Sequence, residues 1–228
     1  MKIAEIYQSR QGEGMLTGVP SVFIRASGCN LRCWFCDTPY ASWSPEGEDL
    51  PVDEIAGRAL EFDCGHVVLT GGEPMLFAEL IPLCQRLRDA GRHLTIETAG
   101  TLYLPVACDL MSISPKLAGS GPSVQQDPHW NLRHERSRHV PEVIRRLVRE
   151  YEYQVKFVVD SPEDTRQVEQ YLFELPEIDR RRVALMPQGR DARELEERAR
   201  WLEPYCRTHQ FTFCPRRQIE WYGLVRGT

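Results

Sequence analysis

"HVVLTGGEPMLFAELIPLCQRLRDAGRHLTIET", residues 66–98, is the stretch whose reading decides the fold. It opens on a short apolar, β-branched run, "HVVLT", and passes through Gly71 and Gly72. An amphipathic pattern follows from Met75, with Pro74 at its start and Gly91 placed to stop it. A second strand-like run, "HLTIET", comes next. Two neighbouring strands joined through a helix run parallel, because an antiparallel return needs only a tight turn. The rhythm repeats outward, with strand-like runs "SVFIRAS" from 21, "DLMSIS" from 109, "YQVKFVV" from 153, "RVALM" from 182 and "FTFC" from 211. Helical patterns beginning at 52, 141, 162 and 192 fall between most of them, and Pro141 and Pro162 suit first helical turns. The fold class predicted is α/β: six or so such units give parallel strands curled into an open, partial (β/α)6-type barrel. Ligands in such sheets bind beyond the carboxyl ends of the strands, so polar residues just past a strand are the ones to weigh.

A chain of 228 residues can bury one substantial core, and a single domain over 1–228 is expected. Hydrophobic residues make up 42% and charged residues 27%, and no apolar run approaches the roughly 20 residues needed to span a bilayer. The first residues, "MKIAEIYQSRQGEG", lack the apolar stretch of a signal peptide, so a cytoplasmic location is expected. A net charge of -5 argues against a general nucleic-acid binder. Only Lys2, Lys116 and Lys156 are lysines against 25 arginines; coding bias accounts for that, yet each lysine becomes worth locating. Residues 118–140 carry Gly, Pro, polar and basic residues without a usable period and read as a long surface loop.

Sulfur is unevenly spread. "GCNLRCWFCD", residues 28–37, holds Cys29, Cys33 and Cys36, while Cys64, Cys84, Cys108, Cys206 and Cys214 stand singly and read as small buried hydrophobes. The three could be core residues on one face of a helix, but Pro39 leaves little room for one. They could bind zinc with a distant histidine such as His66, although zinc motifs more usually bring separated cysteine pairs. They could hold an iron-sulfur cluster, which thiolates bind readily. Three ligands would leave one iron of a 4Fe-4S cluster open for a further partner.

The C-x3-C-x2-C spacing, with Phe35 just before the last cysteine, resembles the radical S-adenosylmethionine superfamily, whose adenosylmethionine chelates the open iron. "TGGEP" resembles that superfamily's second signature, with the Glu73 carboxylate available to an ammonium group. The string "SRQGEGMLTGVPSVFIRASGCNLRCWFCDTPY", then "TGGEP", "ETAGT", "SISPK", "QVKFVV" and a tail ending "WYGLVRGT", resembles the 7-carboxy-7-deazaguanine synthases over nearly the full chain. That resemblance implies a 4Fe-4S cluster on Cys29, Cys33 and Cys36, and magnesium (Mg2+) at Thr38. It implies S-adenosyl-L-methionine held by Phe35, Cys36, Asp37, Gly72, Glu73, Ser114, Pro115 and Lys116, with Gln188 of "MPQG" beside them. Substrate contacts would come from Arg10, Gln11, Gly12, Glu13, Arg25 and Thr70. An arginine inside "VFIRAS" would in any case need an anionic partner if it points inward.

The activity so implied is that of a carbon-nitrogen lyase: 6-carboxy-5,6,7,8-tetrahydropterin becomes 7-carboxy-7-deazaguanine with loss of ammonia, in 7-deazapurine or queuosine biosynthesis. Implied partners are the small-molecule pterin, a flavodoxin- or ferredoxin-type electron donor and a second copy of the chain in a homodimer, with no nucleic acid and no membrane. "QIEWYG" departs from the pattern in which the tail's tryptophan directly precedes the glycine, so the tail is given no substrate role. Two alternatives stand beside this: a glycyl-radical-enzyme activase, which shares the cysteine spacing but not the "QGEG" run, and a non-catalytic zinc or iron-sulfur binding protein.

Overall fold

Alternation of apolar and polar residues along a strand puts them on opposite faces of a sheet, and here that alternation builds both the core and a cavity wall. A computed structural model describes residues 1–228. Its strands are β1 (Lys2–Arg10), β2 (Pro20–Ala26), β3 (Glu48–Asp49), β4 (His66–Gly71), β5 (His93–Thr98), β6 (Leu110–Ile113), β7 (Tyr153–Val159), β8 (Val183–Pro187) and β9 (Thr212–Phe213). They form one sheet in the order β3-β1-β2-β4-β5-β6-β7-β8-β9. From β2 to β9 every neighbouring pair is parallel, while β1 runs antiparallel to β2 and β3. The edges do not meet, so the barrel is open, as expected.

The helices are α1 (Pro39–Ser42), α2 (Val52–Leu60), α3 (Leu80–Asp89), α4 (Pro128–Ser137), α5 (Pro141–Glu150), α6 (Pro162–Glu174), α7 (Ala192–His209) and α8 (Arg217–Tyr222). Pro141 and Pro162 open their helices, and Ser161 with Asp164 forms a capping box on α6. Gly91, at φ +74, ends the α3 turn as its position suggested. Val22, Ile24, Val67, Leu69, Ile96, Met111, Val155 and Phe157 share one face of the sheet and belong to the main core. The intervening residues, including Phe23, Arg25, Thr70, Glu97, Lys156 and Val158, line a cavity.

Several expectations are corrected. Residues 118–140 are not one long loop: Pro128–Ser137 is helical, capped by Asp127, whose side chain accepts from Trp130 N. Pro74 opens a 3-10 turn at Pro74–Leu76, and α3 begins only at Leu80. Strand β1, on which the antiparallel edge depends, and helix α8 were not anticipated. No helix is long and apolar enough to cross a membrane.

Candidate active site

The cavity, of about 330 Å³, is bordered by the cysteine loop, the carboxyl ends of β2 and β4, the polar face of the sheet and residues 223–228. It brings together Arg10, Gln11, Gly12, Glu13, Arg25, Cys29, Cys33, Phe35, Cys36, Asp37, Thr38, Thr70, Gly72, Ser114 and Lys116. A smaller cavity of about 130 Å³ shares Phe35, Lys116 and Val158 with it and adds Pro115 and Gln188. Glu73 borders neither.

Residues 28–38 form no helix, which removes the helical-face reading of the three cysteines. Backbone bonds tie their loop to the ends of the strands: Gly28 N donates to Ala41 O, Glu73 N to Gly28 O and Gly72 N to Ala26 O. A Cβ on Gly72 would stand 2.2 Å from Gly28 O and 2.7 Å from Cys29 Cβ, so only glycine lets β4 end this close to the cysteine loop. Arg32 Nη1 donates to Cys29 O at 2.8 Å and Trp43 Nε1 to Cys33 O at 3.0 Å, leaving the side chains to face the cavity. All eight cysteines are free thiols. Burial pushes the Cys29 thiol up to about 11 and Cys33 up to about 12, so each sulfur keeps its proton until a cation replaces it. Cys36 Sγ lies 3.1 Å from Ser42 Oγ and 3.8 Å from the Thr38 hydroxyl.

His66, the distant histidine of the zinc reading, sits at the amino end of β4 with its ring 4.7 Å from that of His93. The cysteine loop follows the opposite, carboxyl end of the neighbouring strand β2, so the four groups do not converge. The zinc arrangement is therefore not built.

Glu73 is fully buried, and its carboxylate accepts from Met75 N, Ala99 N and, with both oxygens, Thr98 Oγ1. Burial raises its pKa, and those donors pull against the rise. Its bonds all run to the chain itself, so it braces the turn that presents Gly72 instead of offering a free carboxylate to the cavity. Lys116 Nζ donates to Ser114 O at 2.7 Å and Ser114 Oγ at 2.8 Å, which fixes the "SISPK" corner where the two cavities join.

Arg25 does have the anionic partner its position demands. Its Nε donates to Glu5 Oε1 at 2.6 Å and its Nη2 to Tyr7 Oη at 2.9 Å, leaving Nη1 without a partner in the chain. Glu5 also accepts from Tyr40 Oη at 2.8 Å and from Arg226 Nε at 3.3 Å. Burial would lower the Arg25 pKa, but Tyr7, Tyr40 and Glu5 more than offset it and hold it above the ordinary arginine value.

The floor of the cavity is ionic. Lys156, only 1% exposed, places Nζ 3.2 Å from Glu13 Oε2 and 2.9 Å from Glu97 Oε2. Glu13 also accepts from Arg216 Nε at 3.1 Å and Gln218 Nε2 at 2.6 Å, and Arg216 continues to Asp37 and to Gly189 O. Burial would raise the Glu13 pKa, yet Lys156 and Arg216 hold it well below the usual carboxylate range. Gly12 is needed here, since a Cβ would run into Gln218 at 2.1 Å.

Residues 23–115 match the Radical SAM superfamily. A 7-carboxy-7-deazaguanine synthase of Rhodopirellula baltica is 46% identical over 227 residues, 99% of this chain and 88% of the relative. One from Halobacterium salinarum is 40% identical over 96% of this chain and 89% of its own. The chain belongs to the 7-carboxy-7-deazaguanine synthase family. A crystal structure of QueE from Escherichia coli superposes with a TM-score of 0.69 at 26% identity, covering 94% of this chain and 92% of that one. These relationships do not favour the activase or the non-catalytic binding protein. Among the polar groups of this cavity that reading the sequence missed are Glu5, Glu97, Lys156 and Arg216. Two were signalled, because Glu97 and Lys156 interrupt apolar strands at period two.

Proposed function

We propose that this chain converts 6-carboxy-5,6,7,8-tetrahydropterin to 7-carboxy-7-deazaguanine with loss of ammonia, on one domain spanning residues 1–228. The observation that carries the proposal is a single cavity with two chemically different walls: three free thiols on one, and the Glu13–Lys156–Glu97 floor on the other. Three thiols are the donor set of an iron-sulfur cluster, and three rather than four leaves one iron for a further ligand. Cys29, Cys33 and Cys36 would hold it. S-adenosylmethionine would reach from Gly72 past Phe35 and Lys116 toward Gln188, with Glu73 acting through the turn it braces. When bound and given one electron by an external donor, the cluster and S-adenosylmethionine would supply the radical chemistry that abstracts a hydrogen atom from the pterin.

The chain's own residues bind and orient. Ionised Glu13, fixed by Lys156, Arg216 and Gln218, can accept N–H donors from the pyrimidinone edge without rotating away. Gln11, with Nε2 donating to Ser21 Oγ at 2.9 Å, and Gly12 shape the same edge, while Arg10 and Thr70 border it. Arg25 would offer Nη1 to the pterin carboxylate, and magnesium at the Thr38 hydroxyl would neutralise the rest. Residues 223–228 border the cavity, and Arg226 ties them to Glu5 and Glu46. A homodimer fed by a flavodoxin- or ferredoxin-type donor in the reducing cytoplasm completes the reading, and the free thiols support that compartment.

The test is anaerobic. Purified protein is analysed for iron, sulfide and zinc, then given the pterin, S-adenosylmethionine, magnesium and a strong reductant. Formation of 5'-deoxyadenosine together with 7-carboxy-7-deazaguanine is expected. Wild-type protein that makes 5'-deoxyadenosine yet never converts the pterin would overturn the substrate assignment, and protein that binds only zinc would overturn the whole reading.

A further inference from the structure

Strands β1 and β2 pair so that Tyr7 lies opposite Phe23 and Glu5 opposite Arg25, and all four side chains line the cavity. The Tyr7 ring stacks on Phe23 with centroids 5.3 Å apart and planes 13° from parallel, which fixes where its hydroxyl stands. Arg25 Nη2 donates to Tyr7 Oη at 2.9 Å. A guanidinium has donors only, so in that bond the phenol oxygen accepts and the phenol keeps its own proton to give. No group of the chain takes it. A second tyrosine at the same ion pair is used the other way round, since Tyr40 Oη spends its proton on Glu5 Oε1 at 2.8 Å.

The carboxylate that shares Arg25 is already engaged on both oxygens. Glu5 Oε1 accepts from Arg25 Nε and Tyr40 Oη, and Oε2 from Arg226 Nε at 3.3 Å. Burial raises the Tyr7 pKa against the pull of Arg25, with Glu5 and Asp37 adding to the rise, so at neutral pH the hydroxyl is a neutral donor and not a phenolate. Arg25 has Nη1 left over as well. Two unspent donors, one charged and one neutral, therefore stand on neighbouring groups of one wall, held there by stacking and by an ion pair. Their complement is an acceptor with two oxygens and no proton of its own.

We propose that Tyr7 is a specificity-determining residue whose hydroxyl donates to the carboxylate of the bound substrate, beside Arg25 Nη1. The inference rests on the placement of that carboxylate at Arg25 proposed above. A carboxylate has about four lone-pair sites on its two oxygens, so both donors and a magnesium ion can be served at once. A carboxamide would set its NH2 donors against them, and a pterin without the substituent would leave both donors unpaired in a partly buried wall. Sites built to hydrogen-bond a substrate group reject the analogue lacking it for this reason. Tyr7 thus selects the acid over its neutral analogues, and does so without adding charge to the cavity.

The experiment measures equilibrium binding to the anaerobically loaded enzyme, without reductant, using two unreactive probes: 6-carboxypterin and pterin itself. Wild type should bind 6-carboxypterin the more tightly. Tyr7→Phe keeps the ring on Phe23 and deletes only the hydroxyl. It should weaken 6-carboxypterin binding about tenfold to a hundredfold, the range for a hydrogen bond to a charged group, and leave pterin binding unchanged. Tyr40→Phe, which removes a donor to Glu5 and none to the ligand, should cost less. Equal weakening of both probes in Tyr7→Phe would show lost packing and overturn the assignment, and so would no weakening of either. A loss in Tyr40→Phe as large as that in Tyr7→Phe would overturn it too, by assigning the effect to the Glu5–Arg25 pair. Arg25→Gln separates the two proposals. If that variant binds 6-carboxypterin as wild type does, the carboxylate is not held at Arg25, and the Tyr7 assignment falls with that reading. If it loses 6-carboxypterin while Tyr7→Phe keeps it, the Tyr7 assignment alone fails.

Discussion

Replacing Lys156 by methionine keeps the apolar stem and deletes the charge that joins the two halves of the cavity floor. In the native chain Nζ is 3.2 Å from Glu13 and contacts both Glu97 oxygens, at 3.0 and 2.9 Å. Glu13 would keep Arg216 and Gln218, whereas Glu97 would keep no cation. Stripping one partner from a buried pair costs about 3–5 kcal/mol. The two carboxylates retain 21% and 23% of their side-chain exposure, which brings the expected loss to the low end, about 2–3 kcal/mol. For a domain of this size that is a fall of about 4–12 °C in Tm. Burial lowers the lysine's pKa, but Glu97 and Glu13 outweigh it and raise the folded value. The lysine's stabilisation is therefore fully present below its unfolded value and is lost only as pH rises through the folded one. Glu13's folded value is lowered, so its contribution is present above the unfolded value and lost as pH falls through it toward the folded one. The gap between wild type and Lys156→Met should thus be full at pH 8 and narrow only as pH falls below Glu13's unfolded value near 4.5, where protons relieve the stranded carboxylate. Anaerobic thermal unfolding at several pH values measures it. A fall of less than about 2 °C at pH 8, equivalent to under about 1 kcal/mol, or a gap that does not narrow in acid, refutes the reasoning.

Cys29→Ala, Cys33→Ala and Cys36→Ala should each abolish the brown colour and activity, while Cys84→Ala, a core position, should do neither; iron analysis of the four variants decides. Thr38→Val should keep the cluster but weaken the magnesium dependence of the rate, because a hard cation needs oxygen and the methyl offers none; an unchanged magnesium titration would remove Thr38 from the site. Arg25→Gln should impair pterin turnover by on the order of 2–5 kcal/mol while slow substrate-free cleavage of S-adenosylmethionine survives, and equal loss of both would show a structural effect instead. Burial pushes His134 down to about 4, so the stability it confers is present above its unfolded value near 6.5 and is lost as pH falls from there toward 4. In His134→Gln that stretch of the pH–stability curve should flatten; an identical slope would show that the histidine does not titrate there.

The parallel units were legible because each strand and helix of a βαβ repeat announces itself locally, by period and by its Pro and Gly punctuation. Strand β1 was not, because Glu5 and Tyr7 face the cavity and break the apolar run of "KIAEIYQSR" with polar atoms that the site itself requires. Helix α4 was missed for a related reason. Its one buried residue is His134, held by hydrogen bonds, and Trp130 is covered by arginines, so no aliphatic stripe marks it in the sequence. The cysteine loop could be read from spacing alone, since its donors lie within eight residues.

The ionic floor is a different kind of object. Glu13 meets Arg216 and Gln218 across 203 and 205 residues of chain, and Arg216 meets Asp37 across 179. Nothing local specifies which carboxylate a given arginine will find. What the sequence does hold is the anomaly of a lysine inside "YQVKFVV", flanked by Val155 and Phe157, both fully buried. An ammonium in such a strand is tolerable only if anionic oxygens are brought to it, because desolvating it unpaired costs several kcal/mol. Glu97 occupies the corresponding odd place in "HLTIET", two strands away and on the same face. Two opposite charges on the same face of two apolar strands, with one strand between them, therefore carry information that neither carries alone: they mark the side of the sheet that lines the cavity instead of the core.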